Sequence, residues 1–334
     1  MSSNVLENVR VRSAEMGEQR SGAIRTALVV PGGVLRSICN CASLAALNNL
    51  GIRYFDSVYA VSAGAINAAY ALADQAALGV TVYLEEVNKP RMINLFRFWN
   101  IIDLDYLFTR VIQSTKRLDV EALRANHSEL RILTADVTNG QARWFTAGAD
   151  DLMEIMRAAC SPETPFSRPV SIGTASFRDG YLLEPLPLLS ALKENYTDIL
   201  VLLNRPVMER DTPNAQWLQK AILNRWNRNA YGERLVQRCE DGWRVYNQAL
   251  DIIHSGTFTN EAGWTTRIAA VAPDVAIGMF ESKAKTLFET AYSSWKNTIR
   301  AFETQESSRD AFLKVLSNAG LKPSTLRELA FHEK

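Results

Sequence analysis

The chain has 334 residues, 47% of them apolar, and a formal net charge of +1. A chain of this length and apolar content can bury a large core, so we expect one elaborated domain with a helical extension rather than two independent domains. The near-neutral charge argues against nucleic acid or a strongly anionic membrane as a partner. No segment offers 18 uninterrupted apolar residues, and we expect a cytoplasmic protein without a transmembrane segment.

The first 24 residues are polar and contain Arg10, Arg12 and Arg20. They lack the apolar segment that a signal peptide requires. We therefore expect residues 1–24 to form a flexible N-terminal arm.

A glycine loop follows the first predicted strand, which covers residues 26–30. The loop spans residues 31–37 and leads into a predicted helix over 37–50 that ends at Gly51. Backbone N–H groups in a loop at a helix N-terminus point outward and can bind a developing oxyanion. A phosphate-binding loop is a weak alternative, because the lysine and the Ser/Thr of that motif are missing.

A serine stands at the next junction between a strand and a helix. A strand is predicted over 57–61 and a helix over 63–78, with Ser62 between them. Small residues flank Ser62, as in the Gly-x-Ser-x-Gly turn that holds a serine hydroxyl in a strained, exposed position. Such a segment also arises as an ordinary helix start, with Ser62 as the N-cap.

A second helix is predicted over 80–88, and an apolar segment follows it over 92–102. The segment is rich in large side chains but has no clean helical periodicity. It could form an apolar entrance above Ser62 or dip into a membrane interface, where Trp and basic residues are favoured. We favour simple packing on the sheet, because aromatic-rich connections in large α/β domains usually complete the core.

Strands and helices alternate up to about residue 204. Further strands are predicted over 130–136, 143–146 and 198–203, and further helices over 151–159 and 186–194. This alternation predicts a largely parallel sheet with the site at the carboxyl ends of its strands. Beyond residue 214 the pattern becomes helical, with helices predicted over 217–231, 232–253 and 281–302 and a short strand over 266–271.

An Asp-Gly turn at Asp179 and Gly180 is the third segment of interest, although such turns are usually structural. In this order and spacing, the glycine loop, the serine turn and the Asp-Gly turn resemble the bacterial patatin-like phospholipases. The family pattern is Gly-Gly-Gly-x-Arg-Gly, then Gly-x-Ser-x-Gly, then Asp-Gly-Gly or Asp-Gly-Ala. Further segments also resemble these bacterial proteins, namely residues 100–108, 133–136, 156–161 and 245–247. The resemblance covers about residues 25–300.

The resemblance implies a hydrolase of lipid acyl esters with a three-layer α/β/α fold. It implies a patatin-like catalytic core over 25–210 and a mainly helical C-terminal region over 211–334. Ser62 and Asp179 would form the catalytic dyad. The oxyanion hole would consist of Gly32, Gly33, Val34 and Ala63, and the supporting residues would be Arg36, Gly64 and Gly180.

The residue chemistry also favours a dyad. A serine hydroxyl needs a base within hydrogen-bond reach, and the chain has only three histidines, His127, His254 and His332. The order Ser62, Asp179, His254 fits an α/β-hydrolase triad. That fold places several strands before its nucleophile, whereas only one clear strand precedes the serine strand here. We therefore expect Asp179 to accept the Ser62 proton directly.

Several positions depart from the family pattern. Val34 and Ser37 replace glycines of the loop, Ala60 replaces the first glycine of the turn, Tyr181 replaces a small residue, and Glu184 stands where Asn or Asp is common. A valine adopts a positive φ only at a cost. Our preferred interpretation is that these substitutions alter the pocket for the acyl group or for the acyl acceptor. The alternative is a catalytically impaired binding protein.

The sequence does not identify the acyl acceptor. Water gives hydrolysis of a lipid ester, another ester or a thioester, and an acyltransferase with a different acceptor would use the same dyad. Peripheral membrane contact is possible. No cofactor or metal is expected, because the four cysteines and the His, Asp and Glu residues have no metal-binding spacing. Cys160 is a weak alternative nucleophile, since no histidine that could act as its basic partner lies near it in the sequence.

Overall fold

The computed structural model of the protein describes residues 2–15, 24–94, 96–97, 100–149, 151–163, 166–212, 228–302 and 308–330. Its strands are β1 Thr26–Val30, β2 Ser57–Val61, β3 Glu129–Asp136, β4 Ala142–Thr146, β5 Val170–Ile172, β6 Ala175–Asp179, β7 Asp198–Leu202, β8 Thr257–Thr259 and β9 Thr265–Val271. They form one sheet in the order β5-β6-β3-β2-β1-β7-β9-β8, with β4 also paired to β3.

Helices cover both faces of this sheet. They are α1 Ser2–Ala14, α2 Ile38–Asn49, α3 Ala63–Leu72, α4 Ala76–Val82, α5 Val120–Ala125, α6 Leu152–Ala159, α7 Leu188–Ala191, α8 Arg228–Ser255, α9 Ala284–Phe302, α10 Arg309–Asn318 and α11 Pro323–Ala330. Short 3₁₀ turns occupy Val34–Ser37 and Gly180–Leu182, and π-helical segments occupy Tyr83–Val87 and Tyr106–Thr115.

The centre of the sheet is parallel. Strands β3, β2, β1, β7 and β9 pair in parallel, whereas β4, β5, β6 and β8 join through antiparallel pairings. Parallel strands need crossover connections, which place helices on the faces of the sheet. The predicted α/β fold with a helical C-terminal part is therefore confirmed.

The core has two layers, one on each face of the sheet. Leu28 and Val30 of β1 pack in the larger cluster with helices α2, α3 and α9. Their neighbours Ala27 and Val29 pack in a second cluster with α7 and α8. Because successive side chains of a strand point to opposite faces, the continuous apolar strand β1 is buried on both sides.

The N-terminal residues differ from the expected flexible arm, because residues 2–14 form helix α1. Val5 and Val9 are buried, and the Arg12 guanidinium donates to Asp56 at 2.6 Å. Val5 and Val9 lie one turn apart, so together they form an apolar stripe that the polar composition concealed. Residues 16–23 lie outside the described part of the chain.

The helix boundaries also depart from the predictions in two places. The helix expected over 63–78 ends at Leu72, and Asp74 adopts a φ of 58° before α4 begins. The helix expected over 186–194 is only the single turn Leu188–Ala191, preceded by Pro187 at its N-cap. Most of the helix expected over 217–231 lies outside the described residues, and α8 includes the helix expected over 232–253.

Candidate active site

The sheet register places Asp179 beside Ser62. Along one edge, β3 pairs first with β2, up to Val61 opposite Leu133, and then with β6, where Asp179 lies opposite Thr134. Strand β4 occupies the other edge of the same part of β3. Strands β2 and β6 thus meet end to end along β3, which brings together residues separated by more than a hundred positions in the chain.

Ser62 occupies a strained turn between β2 and α3. Its φ is 57°, a left-handed conformation that costs free energy for a residue with a Cβ, and its side chain is only 6% exposed. The side chain does not cap α3 but lies close enough to Asp179 to lower the pKa of that carboxyl, and both residues border the same cavity. The geometry is therefore that of a serine turn directed at a carboxylate, and not that of an ordinary N-cap.

Three glycines allow the surrounding backbones to approach closely. A Cβ on Gly32 would lie 2.3 Å from the Ser62 Cβ, and one on Gly64 would lie 2.5 Å from the Pro31 carbonyl oxygen. A Cβ on Gly180 would lie 2.7 Å from the Leu133 carbonyl oxygen. Real Cβ atoms do not tolerate such contacts, so the site requires glycine at these positions.

The glycine loop presents free N–H groups beside Ser62. Gly33 has a φ of 150° and Val34 a φ of 53°, so a valine does adopt the strained conformation that its side chain disfavours. The N–H groups of Gly33, Val34 and Ala63 precede the first intrahelical bonds of their helices, and they have no acceptor among the described residues. These donors and two helix N-termini favour negative charge near Ser62.

Buried asparagines that the sequence analysis missed hold the glycine loop. Asn40 Nδ2 donates to the Pro31 carbonyl at 2.7 Å, and Asn67 Nδ2 donates to Asn40 Oδ1 at 2.7 Å. Asn204, which follows β7, donates to the Gly32 carbonyl. In the sequence, these asparagines stand out only as polar residues within an apolar helix or just after a buried strand. A buried amide at such a position needs hydrogen-bond partners.

Arg36 links the glycine loop to the segment after Asp179. Its side chain is 7% exposed, and its Nη2 donates to the Tyr181 hydroxyl at 3.4 Å. A Cβ on Gly33 would lie 3.1 Å from the Arg36 Nε, so the guanidinium packs directly against the loop. Tyr181, one of the departures from the family pattern, is thus a hydrogen-bond partner of Arg36.

Asp179 is a buried carboxyl with a raised pKa. Burial raises its pKa to about 7 from an ordinary value of 3.8, and the nearby Ser62 hydroxyl and the hydrogen bond from the Tyr181 N–H partly oppose that shift. The side chain is 4% exposed, and the Tyr181 N–H donates to Oδ1 at 2.9 Å. A carboxylate with a pKa near 7 can accept a proton at neutral pH.

An apolar cavity opens at Ser62 and Asp179. Its volume is about 640 Å³, including the open mouth. Met92, Ile93 and Ile102 contribute to its wall, so the apolar segment over 92–102 both completes the core and borders the cavity. Phe96 in the same segment is 90% exposed.

The structure forms neither the triad of Ser62, Asp179 and His254 nor a reactive thiol at Cys160. Nδ1 of His254 lies 2.7 Å from the Leu250 carbonyl oxygen and its Nε2 lies 3.4 Å from the Met208 sulfur, so the imidazole does not contact Asp179. Cys160 borders the cavity, but burial and the charge of Asp179 raise the pKa of its thiol well above the usual range. A protonated thiol is a poor nucleophile.

Within the described ranges, no group of three or more His, Cys, Asp or Glu residues is arranged to hold a metal ion. None of the helices in that part of the chain is both long and apolar enough to cross a bilayer.

A protein-family model matches part of the chain. The model of the patatin-like phospholipases matches residues 28–192. An uncharacterized protein, YjjU of Escherichia coli (strain K12), is 23% identical over 235 residues, which are 68% of this chain and 65% of YjjU. This chain therefore spans just under two thirds of that relative.

The crystal structure of VipD from Legionella pneumophila aligns with a TM-score of 0.39 and 11% identity, covering 89% of this chain and 67% of that one. The family match contains the glycine loop, the serine turn and the Asp-Gly turn. Through residues 28–192, the chain belongs to the patatin-like phospholipase family.

Proposed function

We propose that the chain is a serine–aspartate acyl hydrolase that cleaves lipid esters through a covalent acyl-Ser62 intermediate. Membership of the patatin-like phospholipases supports lipid acyl hydrolysis in general. The observation that carries the proposal is the pairing of Ser62, in a strained turn, with the buried carboxyl of Asp179 at the mouth of an apolar cavity.

The first half of the reaction forms the acyl-enzyme. Asp179 takes the proton from the Ser62 hydroxyl as Oγ attacks the ester carbonyl, and a tetrahedral oxyanion forms. The carbonyl then re-forms, the bond to the leaving alcohol breaks, and Asp179 returns the proton to the alkoxide. In the second half, water gives a proton to Asp179 as it attacks the acyl carbonyl. The tetrahedral intermediate then collapses, the bond to Ser62 Oγ breaks, and Asp179 returns the proton to Oγ as the acid leaves.

The N–H groups of Gly33, Val34 and Ala63 are the candidate oxyanion donors. They lie in the glycine loop and at the start of α3, and none has an acceptor among the described residues. A donor fixed in place before the reaction stabilises developing charge, and losing one typically costs about 10²–10³-fold in rate. Arg36 supports this loop as a positioning residue through its packing on Gly33.

Covalent labelling tests the proposal. We would treat the folded protein with a fluorophosphonate and measure its intact mass, beside the Ser62→Ala and Asp179→Asn variants. We expect one adduct on the wild type, none on Ser62→Ala and strongly slowed labelling of Asp179→Asn. Cys160→Ser is the matched control, since Cys160 borders the same cavity and its loss should leave the labelling intact.

A folded wild-type protein without an adduct would contradict the proposal and favour a binding protein on a hydrolase fold. Where labelling succeeds, glycerophospholipids, simple esters and acyl thioesters are compared with and without alcohol acceptors. Release of free acid under all conditions supports hydrolysis. Acyl transfer to an added alcohol in preference to water would identify an acyltransferase.

A further inference from the structure

The geometry points to a medium-length, unbranched acyl chain as the group that fills the cavity, with Tyr70 as the residue that limits its length. This inference rests on the proposed function, because the acyl carbonyl is taken to lie at Ser62. It concerns the depth of the cavity along helix α3.

Helix α3 forms one wall of the cavity. Ser62, Ile66 and Tyr70 all border the cavity and follow each other at intervals of four residues. Residues four apart lie on the same face of a helix, one turn deeper each time. The cavity therefore runs along α3 from Ser62 down to Tyr70.

The opposite wall runs antiparallel to α3. A Cβ on Gly79 in α4 would lie 3.4 Å from the Tyr70 Cβ, which places Gly79 at the deep end. One turn later, the Tyr83 hydroxyl donates to Asn67 Oδ1 at 3.0 Å, nearer to Ser62. No bordering residue of α3 follows Tyr70, and none of α4 precedes Gly79, so these two residues mark the floor.

Among the described residues, the hydroxyl and amide groups that border the cavity below Ser62 already have hydrogen-bond partners within the protein. The Tyr70 hydroxyl donates to the Lys116 carbonyl, and the Tyr83 hydroxyl donates to Asn67 Oδ1. The Asn67 Nδ2 group donates in turn to the Ser37 carbonyl. The other bordering side chains are mostly apolar, including Ile66, Val82 and Leu107. Such a lining suits a hydrocarbon chain, because burying an unpaired polar group is costly.

The depth sets the chain length. Ser62 and Tyr70 are eight residues apart, which corresponds to about 12 Å along a helix at about 1.5 Å per residue. An extended alkyl chain with bonds of about 1.5 Å advances roughly 1.25 Å per carbon, so about 12 Å holds roughly eight to ten carbons. We therefore expect kcat/KM to rise about fourfold per added methylene up to this length and then to stop rising.

The test is the chain-length profile of p-nitrophenyl ester hydrolysis from C2 to C16, measured on three variants and the wild type. Ile66→Phe narrows the cavity one turn below Ser62 and should move the optimum to about C4–C6. Tyr70→Leu lowers the floor and should move the optimum to longer chains. Tyr196→Leu is the matched control, since Tyr196 is also fully buried but packs on the opposite face of the sheet.

Wild-type hydrolysis without a maximum near C8–C10, or Ile66→Phe and Tyr70→Leu variants whose optimum equals that of the wild type, would overturn the inference. Tyr196→Leu should keep the wild-type optimum. Ile66→Val keeps the test usable if Ile66→Phe does not fold, because a wider cavity should raise the rate on branched esters selectively. If no ester is hydrolysed, the proposed function fails separately. Binding of C4–C16 fatty acids to Ser62→Ala then tests the cavity alone, and affinity that still rises beyond C12 would contradict the proposed floor.

Discussion

The two halves of the site are stabilised in different ways. Around Ser62, backbone conformation and amide hydrogen bonds fix the groups, with Gly33, Val34 and Ser62 all at positive φ. Along the cavity, apolar side chains pack on one another, and a buried ion pair joins Lys116 to Glu85 in the π-helical segment of the wall. We infer that changes in the first half alter the rate for every substrate, whereas changes in the second alter which acyl chain is preferred.

The largest effect is expected for Gly32→Ala. The new Cβ would lie 2.3 Å from the Ser62 Cβ and must displace the serine or the loop. Misplacing the nucleophile and an oxyanion donor together should lower kcat/KM by about 10⁴-fold, equally for short and medium esters. Gly148→Ala is the control, since its Cβ would meet nothing within 4 Å. A selective loss on one chain length would contradict the inference that changes around Ser62 affect every substrate equally.

Asp179→Asn should make the protein more stable above neutral pH. The native carboxyl keeps its proton up to about pH 7, whereas the unfolded one loses it near 3.8, so the stability of the wild type falls as the pH rises through this interval. A shift of about three pKa units corresponds to at most about 4 kcal/mol. We would compare urea unfolding at pH 4 and pH 8. The buried carboxyl remains in Ser62→Ala, which should retain the pH dependence, and an equal dependence in Asp179→Asn would refute the assignment.

Glu85→Gln should cost about 3 kcal/mol of unfolding free energy, because it leaves a buried ammonium without its carboxylate. Lys116 Nζ lies 2.6 Å from Glu85 Oε2, and both side chains are 5% exposed or less. Thermal and urea unfolding would measure the loss. The exposed pair Arg244–Asp241 supplies the control, and Asp241→Asn should change stability by less than about 0.5 kcal/mol.

Glu85→Gln also distinguishes the cavity wall from the serine turn. Glu85 belongs to the π-helical segment that contributes Tyr83 and Val87 to the cavity wall. Its replacement should therefore shift the chain-length profile while the rate of fluorophosphonate labelling stays close to that of the wild type. Slowed labelling with an unchanged profile would reverse the roles that we assign to the two halves.

The rate should follow the ionisation of Asp179. Since the base must be deprotonated, kcat/KM should rise about tenfold per pH unit below pH 7 and level off above it. The pH profile is measured on one soluble medium-chain ester over the pH range in which the fold is intact. A flat profile between pH 5 and pH 8 would contradict Asp179 as the base.

Asn204→Ala should have the smallest effect. It removes the amide that donates to the Gly32 carbonyl and should lower kcat about tenfold by loosening the loop, with no change in the preferred chain length. Asn204→Asp removes the donor but keeps the shape, so it should behave similarly. Asn260→Ala, at an exposed amide, is the control and should match the wild type.

Much of this architecture was accessible from the sequence. The strands before the glycine loop and before Ser62 were predicted at their observed bounds, because continuous apolar runs next to glycine or serine turns are characteristic of buried parallel strands. The sequence also singled out Ser62, Asp179 and the loop. It did not predict β6, since Ala175–Asp179 is short and mixes polar and apolar residues.

The juxtaposition of Ser62 and Asp179 depends on that missed strand. It requires β6 to take over the edge of β3 at the point where β2 ends, a long-range pairing that no local pattern encodes. The same holds for Asn40 and Asn204, whose partners are backbone carbonyls of the loop. Contacts to backbone atoms leave no complementary residue type elsewhere in the sequence to search for.

The buried ion pair between Glu85 and Lys116 in the cavity wall also affects how the chain folds. Glu85 accepts hydrogen bonds from the Lys322 N–H at 2.7 Å and from the Thr325 hydroxyl at 3.0 Å, so its carboxylate is completed by residues more than two hundred positions later. During synthesis, residues 28–192 emerge long before these partners. A nascent chain must therefore keep a half-paired carboxylate in its cavity wall until helix α11 is made, which makes the completion of this wall a late step in folding.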